Sequence, residues 1–253
     1  MSATGRLGLF AFACLLLIPI VWQLVLAMPP FGAHPLPYAD LINAAAPAER
    51  HVTNMVSAVN FDYRGIDTLG EETMLVCAVT GATVLLRGQR GEQLEAHPGQ
   101  VENRPIPHRS EAMLLVGRLA APLTVLFGAY VALHGMTTPG GGFQGGVIIA
   151  SGLLLLFLAE DYRGWRRLMR SWLFDGLEGL GVALYALGGL AALPLGLPFL
   201  TNILPYGQPR NVFSGGLMII ENLAVALAVC GGFVVLLIEF LEETRVMSDG
   251  EQE

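Results

Sequence analysis

Apolar runs of membrane-spanning length alternate with short polar stretches along almost the whole chain. Six segments fit this description: about 7–27, 69–87, 113–134, 143–160, 173–193 and 214–241. A spanning helix needs roughly 17 to 25 mostly apolar residues, so little of the chain is left for a water-soluble domain. The pattern predicts an all-α integral membrane protein with about six transmembrane helices. The first run, LGLFAFACLLLIPIVWQLVLA, follows a single Arg and reads as a secretory signal or an uncleaved helix. Its length, and the lack of a small-residue cleavage site before MPPFG, favour the helix.

The polar stretches divide the chain. Residues 88–112, with three prolines and mixed charge, have a linker composition. They separate a two-helix front segment, 1–87, from a four-helix back segment, 113–245, which is followed by an acidic tail at 246–253. Between the first two helices, MPPFGAHPLPYAD reads as irregular. Beyond it, Val52, Met55, Val56 and Val59 recur at i, i+3, i+4 and i+7. That spacing predicts a short interfacial helix, with a strand-like segment as the alternative.

Composition agrees with the pattern: 53% of residues are apolar and 14% charged, with a net charge of −7. This excludes an ordinary soluble domain and leaves no basic footprint for nucleic acid. Lys is absent, so Arg alone reports orientation. Arg87, Arg90, Arg104 and Arg109 follow the second span, and Arg163, Arg166, Arg167 and Arg170 follow the fourth. The positive-inside rule puts both clusters and both termini in the cytoplasm. Arg50 and Arg64 fit that orientation least well. Cys14, Cys77 and Cys230 lie within apolar runs without ligand spacing and read as packed thiols. No metal cluster, nucleophile or cofactor motif is present, so no enzyme activity and no cofactor are expected.

Two stretches carry candidate chemistry. In TPGGGFQGG, Pro139, Gly140 and Gly141 suit a tight reversal. If a helix starts at Gly142, then Gly142, Gly146 and Ala150 form a small-residue stripe that admits a close neighbour; surface of this kind is expected to pack on partner subunits. Phe143, Gln144, Gly145 and Gly146 also echo Phe213-Ser214-Gly215-Gly216, which reads either as two parallel helical hairpins or as chance similarity between two glycine-led membrane helices. The second stretch, FDYRGIDTLGEETMLVCAV, crowds Asp62, Arg64, Asp67, Glu71 and Glu72 at the start of a span. Asp67 and Glu71 share a face, and Glu72 points about 100° away. Carboxylates there either cap the helix dipole or serve an ion or proton path. Glu221 lies well inside the last span, whereas Glu178 and His134 lie nearer the ends of theirs and suit interface contacts.

At these residues the chain resembles two subunit types of the multisubunit Mrp-type cation/proton antiporters, relatives of respiratory complex I and membrane-bound hydrogenases. Residues 111–245 resemble the family's B-type subunit through the complete loop motif, Thr138 to Gly146. Residues 50–87 resemble the carboxy-terminal end of its large A-type subunit, or the hydrogenase E-like subunit, through Asn54, Ser57, Asp62, Tyr63, Arg64, Gly65, Ile66, Asp67, Thr68, Gly70 and Glu71. The order suggests a fusion at 88–112. One departure is Ala228, where the family pattern carries a charged residue; Glu221, two turns earlier, is a candidate substitute.

The resemblance implies a bacterial inner-membrane, multi-pass subunit that works with other antiporter subunits, lipids, monovalent cations and protons. It makes Asp67, Glu71, Glu72, Glu221, Glu178 and His134 candidate path residues, with Glu71 expected to matter more than Glu72. Accessory service in a hydrogenase-like oxidoreductase and a purely structural adaptor role are the alternatives.

Overall fold

The computed structural model of the chain describes residues 3–28, 37–96, 110–159 and 169–250. The middle of the expected linker, the end of the acidic tail and Arg104, Arg109, Arg163, Arg166 and Arg167 lie outside the described residues. Among those described, all regular structure is helical: α1 (Ala3–Ala27), α2 (Pro37–Glu49), α3 (Met55–Ala58), a π turn (Val59–Tyr63), α4 (Gly65–Ala96), α5 (Glu111–Leu133), α6 (Gly142–Ala159), α7 (Ser171–Leu190), a 3-10 turn (Leu193–Leu195) and α8 (Leu217–Gly250). Among the described residues, five helices are long and apolar enough to cross a membrane: Leu7–Ala27, Gly65–Arg87, Glu111–Leu133, Ser171–Leu195 and Leu217–Leu241. Gly142–Phe157 is a shorter apolar helix.

The chain forms two compact units, residues 1–41 and 42–253. In the first, α1 is apolar on every side, and Leu7, Phe10, Leu16 and Trp22 are all exposed. A helix with no polar face suits a surround of lipid. The second unit holds both motif stretches.

Within that unit, glycine sets the helix packing. A Cβ on Gly142 would lie 2.0 Å from the Asn222 carbonyl oxygen, and one on Gly146 would lie 2.9 Å from that of Ala226. Thus α6 runs parallel to α8, backbone against backbone, with Ala150 buried farther along. The other face of α6 meets α5 antiparallel: Gly145 packs on Gly128 and Ala132, Gly152 on Ala121 and Val125, and Gly117 on Ala159. Helix α7 crosses α8 antiparallel through Gly181 at Ala224 and Ala228, and through Gly231 at Phe174 and Glu178. Helix α4 runs parallel to α8, with Val79 beside Gly232. The Gly142–Gly146–Ala150 stripe is therefore consumed inside the chain; it does not face other subunits, because α8 of the same chain fills it.

Three local expectations change. The Val52–Val59 segment is helical for only one turn before the π turn shifts its register. Val52, Ser57, Ala58 and Phe61 are buried, while Val56 is exposed, so the expected four-residue face does not form. The second span continues as helix through Ala96, past residue 87 where the polar stretch begins. The last span starts at Leu217, because Gly215 and Gly216 adopt φ of +91° and +59° and end the preceding loop.

Candidate functional site

At one end of the second unit the two motif stretches lock together. Asn54 caps α3, accepting from Val56 N, and its Nδ2 lies 2.7, 2.9 and 3.2 Å from the carbonyl oxygens of Gly135, Thr138 and Gly140. The Ser57 hydroxyl donates to the same Gly135 oxygen at 2.6 Å. Those carbonyls are presented by a reversal in which Gly140 and Gly141 carry φ of +134° and +146°, values that residues with a Cβ resist. On the far side, Gly142 N donates to Asn222 Oδ1 at 2.7 Å, and Asn222 Nδ2 donates to Ala132 O at 2.7 Å. The glycine loop is thus a clasp between the Asn54 segment and α8. Beside it lies a cleft of about 220 Å³ lined by Ser57, Asn60, Thr68, Glu71 and residues 140–144.

The same end carries a charged cluster. Arg50 Nε donates to Asp62 Oδ1 at 2.6 Å, and its guanidinium stacks on Tyr63 and Tyr206 at 4.7 and 5.5 Å. Asn202 and the Tyr206 hydroxyl approach Asp62 Oδ2 at 3.5 Å. Burial works against the Arg50 charge, but its bond to Asp62 and the Asp62 charge outweigh that, and its pKa is raised. Burial first, then the bond its hydroxyl donates to Glu49, push the Tyr63 phenol up to about 12. Arg64 pairs with Asp67 at 2.5 Å. Both arginines that fit the orientation rule poorly are therefore neutralised locally by aspartates. A cleft of about 450 Å³ opens here, between Arg50, Asp62, Arg64, Asn202 and Tyr206.

Below this cluster, the seam between α4, α7 and α8 holds acidic side chains. Glu72 and Glu221 are fully buried and Glu178 nearly so, and neither oxygen of Glu72 or Glu221 has a hydrogen-bond partner; Glu178 Oε1 also lacks one. Glu221 is within electrostatic reach of Asp62, and Glu72 of Glu178. Tyr185 lies between these levels, within reach of Glu221 and Glu72, and its hydroxyl donates to Gly65 O at 2.8 Å. Glu178 Oε1 lies against Gly232, where a Cβ would come within 2.9 Å of it. Farther along α8, buried Glu239 takes Arg87 Nε and Nη2 on one oxygen at 2.9 and 2.8 Å. On α8, positions 221, 232 and 239 share a face at helical spacing, so the acidic groups follow one line from the Asp62 cluster to the Arg87 end.

The structure brings together Glu72, Glu178 and Glu221 and leaves Glu71, Asp67 and His134 aside. The adjacent glutamates are placed differently: Glu71 is exposed at the cleft and Glu72 faces the seam. Helix α4 packs that face on α7 and α8, and the one-residue step turns Glu71 away. His134 ends α5, stacked on Tyr130 at 4.1 Å with Nδ1 at 3.0 Å from Tyr130 O. Asn222 and Glu239 were missed by sequence reasoning. Both are polar residues inside an apolar run, which is the signal that marked Glu221.

These features define a multi-pass helical membrane protein with ionisable groups sealed inside its bundle. Residues 112–235 match the domain related to the MnhB subunit of the Na+/H+ antiporter, and the chain carries a domain of that family. It is 32% identical over 199 residues to an uncharacterised protein of Methanocaldococcus jannaschii, covering 72% of this chain and 74% of that one. A probable K(+)/H(+) antiporter A/B subunit of Rhizobium meliloti is 27% identical over 76% of this chain, which spans only 21% of that longer protein. The B subunit of the Na(+)/H(+) antiporter of Bacillus subtilis is 38% identical over 36% of this chain and 63% of its own length. Among solved structures, a chain of the membrane-bound sulfane sulfur reductase, an archaeal respiratory membrane complex, aligns at TM-score 0.66 and 30% identity over 92% of this chain and 97% of that one. A chain of the Mrp complex from Dietzia sp. DQ12-45-1b shares the fold, at TM-score 0.65 and 22% identity over 94% of this chain and 26% of that one.

Proposed function

We propose that the chain is a membrane subunit of a multisubunit monovalent cation/proton antiporter and contributes a proton-handling path, with no catalysis or cofactor of its own. The observation that carries this reading is the set of three sealed carboxyl groups, Glu72, Glu178 and Glu221, without complete hydrogen bonding at one helix seam. Such groups are costly inside a membrane and are kept where ions or protons pass. The line ends in an acidic cluster at the glycine-loop end and in Glu239 with Arg87 at the other. We place the loop end outside, with both termini in the cytoplasm of a bacterial cell; the arginine-rich stretches support that orientation. The partners are the other subunits of the antiporter and the surrounding lipids.

The test is cation-driven proton flux in vesicles carrying the assembled complex. Glu221→Gln and Glu72→Gln keep size and hydrogen-bonding capacity but remove proton exchange. Both are expected to assemble and to lose most flux. Wild-type flux in both would identify the chain as a structural adaptor, a role for which the Asn54 clasp is suited. Service in a redox-driven complex is a second reading, favoured by the alignment to the respiratory complex over nearly the whole of both chains. Co-purification of redox-cofactor subunits in place of antiporter subunits would establish it.

A further inference from the structure

Between Glu178 and Glu239 the carboxyl line has a gap of about two helical turns, and one polar side chain stands within it on α4. Val79 packs at Gly232, the level of Glu178, where Val79 Cγ2 and Glu178 Oε1 lie 3.1 and 2.9 Å from the same added Cβ. Arg87 marks the level of Glu239, which it binds. Thr83 is one turn beyond Val79 and one turn short of Arg87, so its level is midway, at a rise of about 6 Å from each.

Thr83 is only 9% exposed, and its hydroxyl oxygen is buried without a hydrogen-bond partner. Three other hydroxyls on spanning or apolar helices are satisfied locally. Thr73, Thr124 and Ser151 each donate to the carbonyl four residues back, at 2.8, 2.8 and 2.9 Å. A threonine inside a membrane helix ordinarily satisfies itself in this way. Thr83 leaves its hydroxyl directed into the packed face of α4, with both donor and acceptor capacity unused.

We propose that Thr83 is a relay residue that passes protons between Glu178 and the Glu239–Arg87 pair. The inference rests on the proton-path reading above. Since Oγ1 bonds directly to neither carboxyl group, a water on each side completes the step. A proton released by Glu178 through one water arrives on an Oγ1 lone pair, as the proton already on Oγ1 leaves through the second water to Glu239. Rotation of the hydroxyl about Cβ–Oγ1 resets the relay. The hydroxyl neither gains nor loses charge, and Arg87 keeps its proton throughout.

The experiment uses the assembled complex in vesicles and compares Thr83→Val, Thr83→Ser and Thr83→Ala with Glu178→Gln and Glu221→Gln. Valine matches the shape of threonine but removes the hydroxyl; serine keeps the hydroxyl but removes the methyl. Thr83→Val and Thr83→Ala are expected to lower proton flux by about tenfold or more, with Thr83→Ser within about twofold of wild type. Equal losses in the valine and serine variants would mean a packing role and overturn the relay. Wild-type flux in the valine variant, beside a loss in Glu178→Gln, would also overturn the relay while leaving the path intact. Wild-type flux in both glutamate variants would remove the path and the relay together. If Thr83→Val fails to co-purify with its partners, the alanine–serine comparison decides.

Discussion

Gly142→Ala adds one methyl group where, among the glycines of the described residues, an added Cβ comes nearest to another helix. The new Cβ would stand 2.0 Å from the Asn222 carbonyl oxygen and 2.9 Å from Ala226 N. Carbon contacts settle near 3.5 Å, so α6 and α8 must separate by about 1.5 Å. Overpacking of this kind costs about 1–3 kcal/mol. The separation also breaks the buried bond from Gly142 N to Asn222 Oδ1, adding about 1–3 kcal/mol for the groups left unpaired. The sum is about 2–6 kcal/mol. At about 2–4 °C per kcal/mol for a chain of this size, the melting temperature should fall by at least about 4 °C. Gly176 and Gly179 serve as controls, since a Cβ on either meets nothing within 4 Å. Alanine there removes only the helix penalty of glycine, a gain of up to about 1 kcal/mol. The assay is thermal unfolding of the purified complex in detergent, read by intrinsic fluorescence. A Gly142→Ala complex that melts with the Gly176→Ala complex would show that α6 and α8 do not meet at this crossing.

Three further outcomes are expected. Glu72→Gln should lower cation-driven proton flux by about tenfold or more, and Glu71→Gln by less than about twofold; the reverse order would mean that the path runs through the lateral cleft. Asn222→Ala should destabilise the chain by about 1–3 kcal/mol, measured by the same melting assay, because Gly142 N loses its partner and Ala132 O keeps only the 3.3 Å bond from Gly135 N. Tyr63 should resist ionisation, detected as the part of the ultraviolet phenolate signal that Tyr63→Phe removes. With its folded pKa raised to about 12 from the ordinary phenol value of 10.0, its stabilising contribution is fully present below pH 10 and is lost as pH climbs from there through 12. A Tyr63 midpoint near 10 would mean that it is solvated and not bound to Glu49.

The helix count and the glycine loop were legible because bilayer thickness imposes a length on apolar runs and because few residues tolerate the φ of Gly140 and Gly141. The orientation of adjacent residues was not. Telling that Glu72 and not Glu71 is the buried one requires knowing which face of α4 meets α7 and α8, and an apolar helix with weak amphipathicity does not announce that face. The short 52–59 segment shows the same limit: a π turn after Ala58 shifts the register that periodicity assumes to be constant. The small-residue stripe was visible, but whether it meets a neighbouring subunit or α8 of its own chain is a tertiary fact. Ala228 now has a steric account, since a Cβ on Gly181 would lie 2.5 Å from Ala228 N, and a charged side chain has no room where two backbones touch.

The joint between the two motif stretches explains why they occur together. The Gly135, Thr138 and Gly140 carbonyls take their side-chain donor from the Asn54 segment, and a buried carbonyl left without such a donor costs about 1–3 kcal/mol. The same segment ends at Gly65, where α4 begins and where the Tyr185 hydroxyl from α7 is anchored. One asparagine therefore ties the glycine loop to the helix that carries Glu72, Thr83 and Arg87, while Asn222 ties the loop to the helix that carries Glu221 and Glu239. Both walls of the acidic seam are registered against a single loop. A shift of the loop would slide α4 and α8 relative to each other, changing the separation of Glu72 and Glu221 before it touched either side chain. Placing both stretches in one polypeptide keeps that register without relying on the association of two chains.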